Sequence, residues 1–349
     1  MMTIIPVAKV TGALELLFHD AGLPPADARL CADWLTDAEA SGVTSHGVAR
    51  VPMYLGALRR GKIATHPVIE VEQTRAGVVL VDGGNGMGVV AGAVAIDRAM
   101  SAAAAAGIAI AAVRRSNHYG AAAYLLKRAT AAGYIAFTAS NGSAAMAAYG
   151  GADPIIGTNP IAAAFPARDP EDALAFDIAT SVAAFGKMRQ AQREGRSIPV
   201  DWAVAPDGSA TTDPAAGMKG ALLPMSGAKG SALALMVEML AGVLGGAAIG
   251  RAVGNPNDQT PEPTDVGHVF VVIDPAAFMP QDRYEERTHR LGDMVRASRP
   301  AAGGAPVRLP GAGAHARRTA AASAGLALSD DVIALLDQEL ARIGRSLQD

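Results

Sequence analysis

The sequence predicts an α/β fold, a sheet covered by helices, together with a mainly helical region formed by the two ends of the chain. From about Gly88 onward, helical and extended apolar segments alternate, which indicates a sheet with helical crossovers. Before residue 60 and after residue 330, apolar residues recur at helical spacing instead. We therefore predict a mainly helical domain, residues 1–70 plus 290–349, and an α/β domain, residues 71–289.

The first 82 residues are predicted to form helices followed by a strand pair. Apolar positions recur every three or four residues over the first helix, and the Gly-Leu-Pro-Pro sequence at 22–25 ends it. A second helix runs to about Ala40, and a third starts after Ser45-His46-Gly47. Residues 67–82 combine short apolar runs with turn residues, which favours a hairpin.

The rest of the chain supplies the sheet and its crossovers. We predict helices over 89–106, 121–132, 185–195 and 229–249, and strands over 108–113, 134–138, 161–166, 174–180 and 268–273. Residues 295–325 are rich in Pro, Gly and Ala and are predicted to form an irregular excursion. An amphipathic helix over 330–343 closes the chain.

Composition excludes several function classes. The 349 residues are half hydrophobic, enough for a large core, and a net charge of −3 without a basic run gives no sign of a nucleic-acid partner. Cys31 is the sole cysteine, which rules out an internal disulfide and any multi-cysteine metal site, and its apolar helical context predicts a core position. The seven histidines lack H-x-x-x-H or H-x-H spacing, so we expect no metal.

Two apolar stretches could be mistaken for membrane spans. Residues 99–113 are too few, and residues 230–250 carry Glu238 near their centre, which costs about 2.5–3.5 kcal/mol on insertion scales. Both are better explained as buried helices. The start of the sequence also lacks the pattern of a signal peptide. We therefore expect a cytoplasmic protein with no membrane partner.

Two glycine-rich segments resemble nucleotide loops without matching them. Gly83–Gly88 lacks the spacing of a G-x-G-x-x-G motif, and no acidic residue follows about 20 residues later. Residues 227–231 break the Gly-Lys-Ser/Thr order of a phosphate-binding loop. The first is interpreted as a turn before a helix, and the second is not a Walker motif.

A polar loop, residues 114–120, follows a predicted buried strand. Ligands bind beyond the carboxyl ends of strands in open α/β sheets, and histidine is suited to acid–base chemistry near neutral pH. His118 is therefore a candidate functional residue. The alternative is that Ser116 and Asn117 cap the next helix and His118 is an ordinary surface residue.

A second polar loop, residues 45–50, places His46 and Arg50 four residues apart at a predicted helix start, so they face one way. A guanidinium binds a carboxylate through two hydrogen bonds, and an adjacent imidazole exchanges a proton with oxygen on the neighbouring carbon. A 2-hydroxy or 2-oxo acid needs this pair. The alternative is that both side chains simply face solvent.

Several segments, in order along residues 8–345, resemble one enzyme family. They are Ser45-His46-Gly47 with Arg50, Ser116–Gly120, Gly157–Pro160, Phe176–Ser181, Gly227–Gly230, and Gly267–Phe270 with Ile273–Pro275. On these motifs the chain is similar to the malate/L-lactate dehydrogenase-like family of NAD(P)-dependent oxidoreductases. That family includes malate, lactate, ureidoglycolate and sulfolactate dehydrogenases, diketogulonate reductase and the cyclic-imine reductases.

The resemblance implies NAD or NADP bound on a non-Rossmann nicotinamide-binding sheet, so that residues 71–289 form the cofactor-binding domain. It also implies a homodimer whose active site uses both subunits. By motif, His46 is the proton donor and acceptor, Ser45 orients it, Arg50 anchors the substrate carboxylate, and Thr158 contacts the substrate. In some members the histidine matching His118 is the base instead. Cofactor contacts are implied for His118, Tyr119, Gly120, Ser140, Phe176, Asp177, Ile178, Lys229 and Gly311.

We therefore predict hydride transfer between NAD(P) and a small 2-hydroxy/2-oxo carboxylic acid of the malate, lactate or sulfolactate type. The alternative enzyme is an NADPH-dependent pyrroline-2-carboxylate/piperideine-2-carboxylate reductase. Lys187 argues against this alternative, because it occupies the position at which the cyclic-imine reductases carry an acidic residue. Ala228 and Ala312 also depart from the family pattern and leave NAD versus NADP open. An inactive binding protein on the same fold is a further alternative, opposed by the intact histidines, Arg50 and Lys229.

Overall fold

The structure is a computed structural model that describes residues 2–171 and 173–347. Four residues lie outside the described residues. Residues 1, 348 and 349 belong to the predicted helical domain, and residue 172 belongs to the predicted α/β domain. The helices are α1 Val7–Asp20, α2 Pro25–Ala40, α3 Val51–Arg59, α4 Gly88–Ala106, α5 Ala123–Ala131, α6 Phe185–Arg193, α7 Pro214–Lys219, α8 Ala228–Val237, α9 Gln281–Arg296, α10 Ala312–Ala324 and α11 Asp330–Ala341. The strands are β1 Met2–Ile5, β2 Glu70–Arg75, β3 Val78–Asp82, β4 Ile108–Ser116, β5 Ile135–Ser140, β6 Ile161–Phe165, β7 Leu174–Ile178, β8 Ala203–Val204, β9 Ala221–Leu222, β10 Val266–Ile273 and β11 Leu326–Ser329.

A seven-stranded mixed sheet, in the order β2-β3-β4-β10-β5-β6-β7, forms the centre of the fold. The β3–β4 pair is parallel, and the other five neighbouring pairs are antiparallel. Strand β10 arrives late in the sequence and inserts between β4 and β5, so that His268 pairs with both Val113 and Ser140. The predicted mixed α/β class is thereby confirmed, and the hairpin predicted over 67–82 is β2–β3.

The two faces of the sheet are covered by different helices. Alternate strand residues, such as Phe270, join the large core that contains α4 and α5. Their neighbours, such as Val269, join a smaller core with Val237 and Ala241 from α8 and the π-helical turn Glu238–Val243 that continues it. This alternation is the pattern expected of a sheet buried on both faces.

The two chain ends meet in space. Strands β1 and β11 pair antiparallel, and α1, α2, α3 and α11 pack around one core that includes Leu14 and Leu336. Cys31 is buried there, which confirms its predicted core position. Strand β1 is missing from the sequence prediction, because four residues with mostly exposed side chains carry no clear pattern. The predicted division into two domains stays a prediction.

Three predicted elements are corrected by the structure. Residues 312–324 form helix α10 and not an irregular excursion, with Gly311 at its start and Gly325 at its end, both in positive-φ conformations. The predicted third helix begins only at Val51, because 45–50 forms two short 3₁₀ turns separated by Gly47. The long helix predicted over 229–249 ends with the π turn at Val243.

Among the described residues, α4 is the helix whose length and composition would fit a membrane span, and 56% of its apolar window is buried. It packs against β3, β4 and β10. The glycine-rich segment before it is a turn, as predicted, and Gly88 begins the helix. A Cβ at Gly88 would lie 2.0 Å from the carbonyl oxygen of Asn117, so this glycine allows α4 to approach the 114–120 loop.

Candidate active site

The loop that carries His46 is held by the preceding helix. The Glu39 carboxylate on α2 accepts a hydrogen bond from the Val48 amide at 3.0 Å, and a Cβ at Gly47 would lie 2.2 Å from that carboxylate. Only glycine fits at position 47 without a shift of the Glu39 side chain. The Ser45 hydroxyl lies 2.9 Å from Nδ1 of His46 and so contacts the ring that the resemblance implies it orients.

Arg50 shares this loop and is partly immobilised by it. Its Nε donates to the Ser45 carbonyl oxygen at 2.7 Å, and its Nη1 lies 3.9 Å from Sδ of Met53. Burial, and then the nearby Arg50 charge, lower the pKa of His46 to about 4. His46 is therefore neutral at pH 7 and able to accept a proton.

His118 lies against His46, although 72 residues separate them in the sequence. Their ring centroids are 5.7 Å apart with 23° between the ring planes. The Tyr54 hydroxyl on α3 lies 2.6 Å from Nδ1 of His118, and Tyr54 itself is buried. Burial, and then the neighbouring His46 and Arg50, hold the pKa of His118 well below its usual value. Both imidazoles thus have a hydroxyl at Nδ1, and neither Nε2 has a hydrogen-bond partner among the described residues.

The structure contradicts one part of the alternative interpretation of the 114–120 loop, the capping of the next helix. Asn117 does not cap α5: its Nδ2 donates to the carbonyl oxygen of Gly86 at 2.9 Å, and its Oδ1 accepts from the Thr264 hydroxyl at 2.6 Å. The Ser116 hydroxyl contacts Nε2 of His268 at 2.9 Å. The loop is therefore bound to its neighbours on both sides, and it holds His118 as a half-buried residue.

A third histidine, His268, lies in the sheet behind this loop. The Ser140 hydroxyl contacts its Nδ1 at 2.8 Å, so both ring nitrogens are bound, and the side chain is fully buried. The Tyr119 ring stacks on it, with centroids 4.3 Å apart. Burial lowers the pKa of His268 to about 3. The Ser140 hydroxyl, a predicted cofactor contact, is thus already engaged by a histidine.

Thr158 lies in a turn, residues 157–160, that is tied to the protein through its backbone. Its carbonyl oxygen accepts hydrogen bonds from the Thr180 amide and hydroxyl, each at 2.9 Å. The next residue, Asn159, is fully buried and donates to the Ala234 carbonyl at 2.9 Å and to Glu238 Oε2 at 2.8 Å. The half-buried Thr158 side chain therefore sits on a fixed backbone.

The predicted cofactor contacts Phe176, Asp177 and Ile178 lie on the edge strand β7. Gly311 joins them: the Pro310 carbonyl oxygen accepts from the Ala175 amide at 3.0 Å, and a Cβ at Gly311 would meet the Ala175 backbone at 3.0 Å. The Asp177 carboxylate accepts from the Ala123 amide at 3.1 Å, which places it at the start of α5. Sequence positions 175–178 and 310–311 thus form one surface.

Lys229 is exposed and lies at the second position of α8. The N-cap, Gly227, has φ of +62° and offers no side-chain cap, so the first amides of α8 have no side-chain acceptor. Helix α10 begins in the same way at Gly311. An uncapped helix start beside an ammonium fits the pyrophosphate of a dinucleotide.

Helix α6 reaches the histidine loop from another direction. A Cβ at Gly186 would lie 3.7 Å from Cβ of Ser45, so Lys187 begins next to the site. Its ammonium is exposed and lies 6.0 Å from the centroid of the Trp202 ring, over the ring face. The Lys187 backbone thus adjoins the histidine loop, while its ammonium faces the Trp202 ring in a cation–π contact.

Sequence reasoning missed four residues of this region: Tyr54, Asn141, Glu238 and His268. Tyr54 carries a usable signal, since it follows Arg50 by four residues on the helix that starts there. The sequence offers no such signal for the others. The partners of the Asn141 and His268 side chains lie more than 90 residues away, and those of Glu238 lie 12, 79 and 97 residues away on separate segments.

The chain is similar in sequence to several known dehydrogenases. Residues 5–337 match the model of the family described as malate/L-lactate dehydrogenase. The L-sulfolactate dehydrogenase of Methanocaldococcus jannaschii is 38% identical over 81% of this chain and 81% of that protein. A (2R)-3-sulfolactate dehydrogenase (NADP(+)) from Chromohalobacter salexigens is 38% identical over 85% of this chain and 86% of its own. The ureidoglycolate dehydrogenase (NAD(+)) of Escherichia coli K12 is 33% identical over 91% and 90%.

Solved structures of two enzymes share the fold of this chain. Sulfolactate dehydrogenase from Methanocaldococcus jannaschii superposes with a TM-score of 0.92 at 32% identity, over 99% of both chains. A Δ1-piperideine-2-carboxylate reductase from Pseudomonas syringae superposes with a TM-score of 0.86 at 31% identity, over 97% of this chain and 99% of that one.

Proposed function

The chain belongs to the malate/L-lactate dehydrogenase family and is an NAD(P)-dependent oxidoreductase, as the family resemblance predicts; on that premise we propose its substrate class and site chemistry. The substrate is a small 2-hydroxy/2-oxo carboxylic acid of the malate, lactate or sulfolactate type. The observation that carries this proposal is the fixed juxtaposition of Arg50, His46 and His118. The cation can bind a substrate carboxylate, and a neutral imidazole can exchange a proton with the oxygen on the adjacent carbon.

Arg50 binds the substrate carboxylate. Its Nε is already used by the Ser45 carbonyl, so the terminal nitrogens of the guanidinium are the groups that point to a ligand. A charge-assisted pair of hydrogen bonds fixes the acid in one orientation. The 2-oxygen of the substrate then falls near the neighbouring imidazoles, and Thr158 supplies a further polar contact.

His46 exchanges the proton at the substrate 2-oxygen through its Nε2. In the oxidative direction a neutral imidazole accepts the hydroxyl proton, and in the reductive direction the imidazolium returns it. The Ser45 hydroxyl at Nδ1 holds the ring while this happens. His118, with Tyr54 at its own Nδ1, is the second candidate for the same role.

We propose that the surface formed by Phe176–Ile178 and Gly311, together with Lys229, binds the cofactor, with Ser140, which is 3% exposed at the end of β5, as a further contact. A bound nicotinamide supplies the hydride acceptor or donor. We propose that this is a non-Rossmann arrangement, supported by the single parallel pair, β3–β4, in the central sheet. Rossmann sheets are mostly parallel and carry the phosphate loop after their first strand.

We also propose a cytoplasmic homodimer without membrane or nucleic-acid partners. Its support is the family resemblance, the free buried thiol of Cys31, and exposed apolar residues Leu291 and Met294 on α9. Light scattering coupled to size exclusion measures the mass directly. A monomer of about 35 kDa at micromolar concentration would contradict the dimer.

A cyclic-imine reductase is the alternative enzyme, favoured by the likeness to the piperideine-carboxylate reductase. A cyclic imine must be protonated to accept hydride, and Lys187 adds a positive charge to the helix on which the preceding Gly186 adjoins the histidine loop. We expect a 2-oxo acid to be reduced with a higher kcat/KM than piperideine-2-carboxylate. In Lys187→Asp, the ratio of the two kcat/KM values should move closer to one. Preference of the unmodified protein for the imine would contradict the substrate class.

A substrate panel followed at 340 nm, with each cofactor, tests the proposal as a whole. Malate, lactate, sulfolactate and ureidoglycolate are offered with NAD and NADP, and the corresponding 2-oxo acids with the reduced cofactors. Turnover of at least one acid is expected, with activity unchanged after dialysis against a chelator. Cofactor binding without turnover of any substrate would favour an inactive binding protein.

A further inference from the structure

Glu238, at the start of the π-helical turn, is a buried carboxylate without a cationic partner. It is 8% exposed, and no Lys, Arg or His among the described residues forms an ion pair with it. Among the residues that the structure describes, two other carboxylates are buried to a similar degree, and both contact arginines: Asp82 with Arg114 and Glu339 with Arg59. A buried charge requires hydrogen bonds in compensation.

Three neutral N–H donors supply that compensation. The Gly250 amide donates to Oε1 at 2.6 Å, the Asn159 side chain donates to Oε2 at 2.8 Å, and the Asn141 side chain approaches Oε1 at 3.4 Å. These donors come from three separate loops. The backbones of two of these segments are also joined by the hydrogen bond from the Ser140 amide to the Pro160 carbonyl oxygen at 3.3 Å. The Glu238 carboxylate adds the link between their side chains, because it accepts from both Asn141 and Asn159.

Two of these segments carry predicted site residues. Asn159 directly follows Thr158, and its backbone has a φ of +34°, which side-chain-bearing residues rarely adopt. Asn141 directly follows Ser140, and its Oδ1 accepts from the Gly267 amide at 2.9 Å, beside His268. The Glu238 carboxylate thus connects the turn that presents Thr158 with the strand end that presents Ser140.

We infer that Glu238 is a positioning residue that sets the substrate-contact turn and the cofactor-contact strand end relative to each other. The inference rests on the proposed function for the roles of Thr158 and Ser140. The Glu238 carboxylate itself contacts neither the acid substrate nor the cofactor in this proposal. Its effect on catalysis passes through Asn159 and Asn141.

An amide cannot replace this carboxylate. Glutamine at 238 would turn one NH₂ group toward either Asn159 or Gly250, both of which are donors. Asn159 cannot adapt by rotating its amide, because its Nδ2 also donates to the Ala234 carbonyl. Its Oδ1 is already buried without a hydrogen-bond partner. The turn must therefore move to relieve the contact.

The test compares Glu238→Gln with Glu339→Gln, a buried carboxylate on α11 that is bonded to Arg59 at 2.6 Å and contacts no predicted site residue. The cofactor Kd is measured by nicotinamide fluorescence without acid, and KM, kcat and Tm are measured in parallel. We expect Glu238→Gln to raise the Kd and the KM by about tenfold each, the size of one lost hydrogen bond to a charged group. Glu339→Gln should lower Tm while leaving Kd and KM unchanged.

Glu238→Asp keeps the charge with a shorter side chain and should give a smaller increase in both constants. It also decides the matter if the Gln variant does not fold. Unchanged Kd and KM in a folded Glu238 variant with a lower Tm would overturn the inference, as would equal changes in Glu339→Gln. If the unmodified protein turns over no acid, the proposed function fails, while the cofactor Kd still tests Glu238.

Discussion

The His46–His118 pair and His268 both adjoin the 114–120 loop, yet they use their ring nitrogens differently. Each member of the pair has a hydroxyl at Nδ1, from Ser45 or Tyr54, and no partner at Nε2 among the described residues. His268 is bound at both nitrogens and is fully buried. A histidine held at one nitrogen can exchange a proton at the other, whereas one held at both is a structural crosslink.

The comparison shows that a low pKa does not by itself mark a functional histidine. Burial lowers the pKa of all three imidazoles. What distinguishes the pair is a ring nitrogen without a hydrogen-bond partner among the described residues, near Arg50, the proposed carboxylate anchor. The two regions should therefore respond in opposite ways to substitution.

The largest effect is expected at Arg50, on the side of the comparison that binds substrate. Arg50→Lys should raise the KM for the acid by about a hundredfold, because an ammonium cannot reproduce the two-pronged carboxylate contact. The cofactor Kd should stay unchanged. Steady-state kinetics beside fluorescence titration measure both, and an unaltered KM would remove Arg50 from the site.

A smaller effect is expected at the tyrosines that serve the two regions. Tyr54→Phe removes the hydroxyl at 2.6 Å from His118 and should lower kcat/KM by about tenfold. Tyr119 is an implied cofactor contact, but Tyr119→Phe removes only a buried hydroxyl that lies 3.4 Å from Thr138, and the ring still stacks on His268, so this variant is the matched control. Equal losses in the two variants would contradict a specific role for Tyr54.

The smallest effect concerns pH and stability, and it arises from both regions together. The unfolded chain binds protons on these histidines below about pH 6.5, whereas the folded protein holds the pKa of His46 near 4 and that of His268 near 3. Protonation therefore favours the unfolded chain as the pH falls from 6.5 toward 4. Tm should drop by about 2–5 °C between pH 7.5 and 5.5, and by less in His46→Asn. A Tm that rises over this interval would contradict the assigned direction.

Much of the fold and the outline of the site could be predicted from the sequence. The apolar periodicity of α1 and α4 is local, and so are the motifs around His46 and His118. The pairing of β1 with β11 was not predictable, since it joins residues more than 300 positions apart through a short, largely exposed strand. Helix α10 was missed because its composition of Ala, Gly and Arg lacks an apolar stripe, and only one of its residues is buried.

The hydrogen bonds that support the site could not be predicted either, because their partners are also far apart in the sequence. Each support joins a loop to a distant element: Tyr54 to His118, Ser140 to His268, and Asn159 to Glu238. Motifs identify the residues that would face a ligand. The residues that hold them depend on the strand order, above all on the late insertion of β10.

The central claim is that His46 and His118 exchange protons while His268 only supports the sheet. The most direct test measures kcat at saturating cofactor together with Tm for three variants, His46→Asn, His118→Asn and His268→Asn. We expect kcat to fall about a hundredfold or more in at least one of the first two, with little change in Tm, as for loss of a general acid–base group. His268→Asn should instead lower Tm and keep most of kcat. A His268→Asn protein that keeps its Tm and loses kcat, beside fully active His46 and His118 variants, would contradict the account.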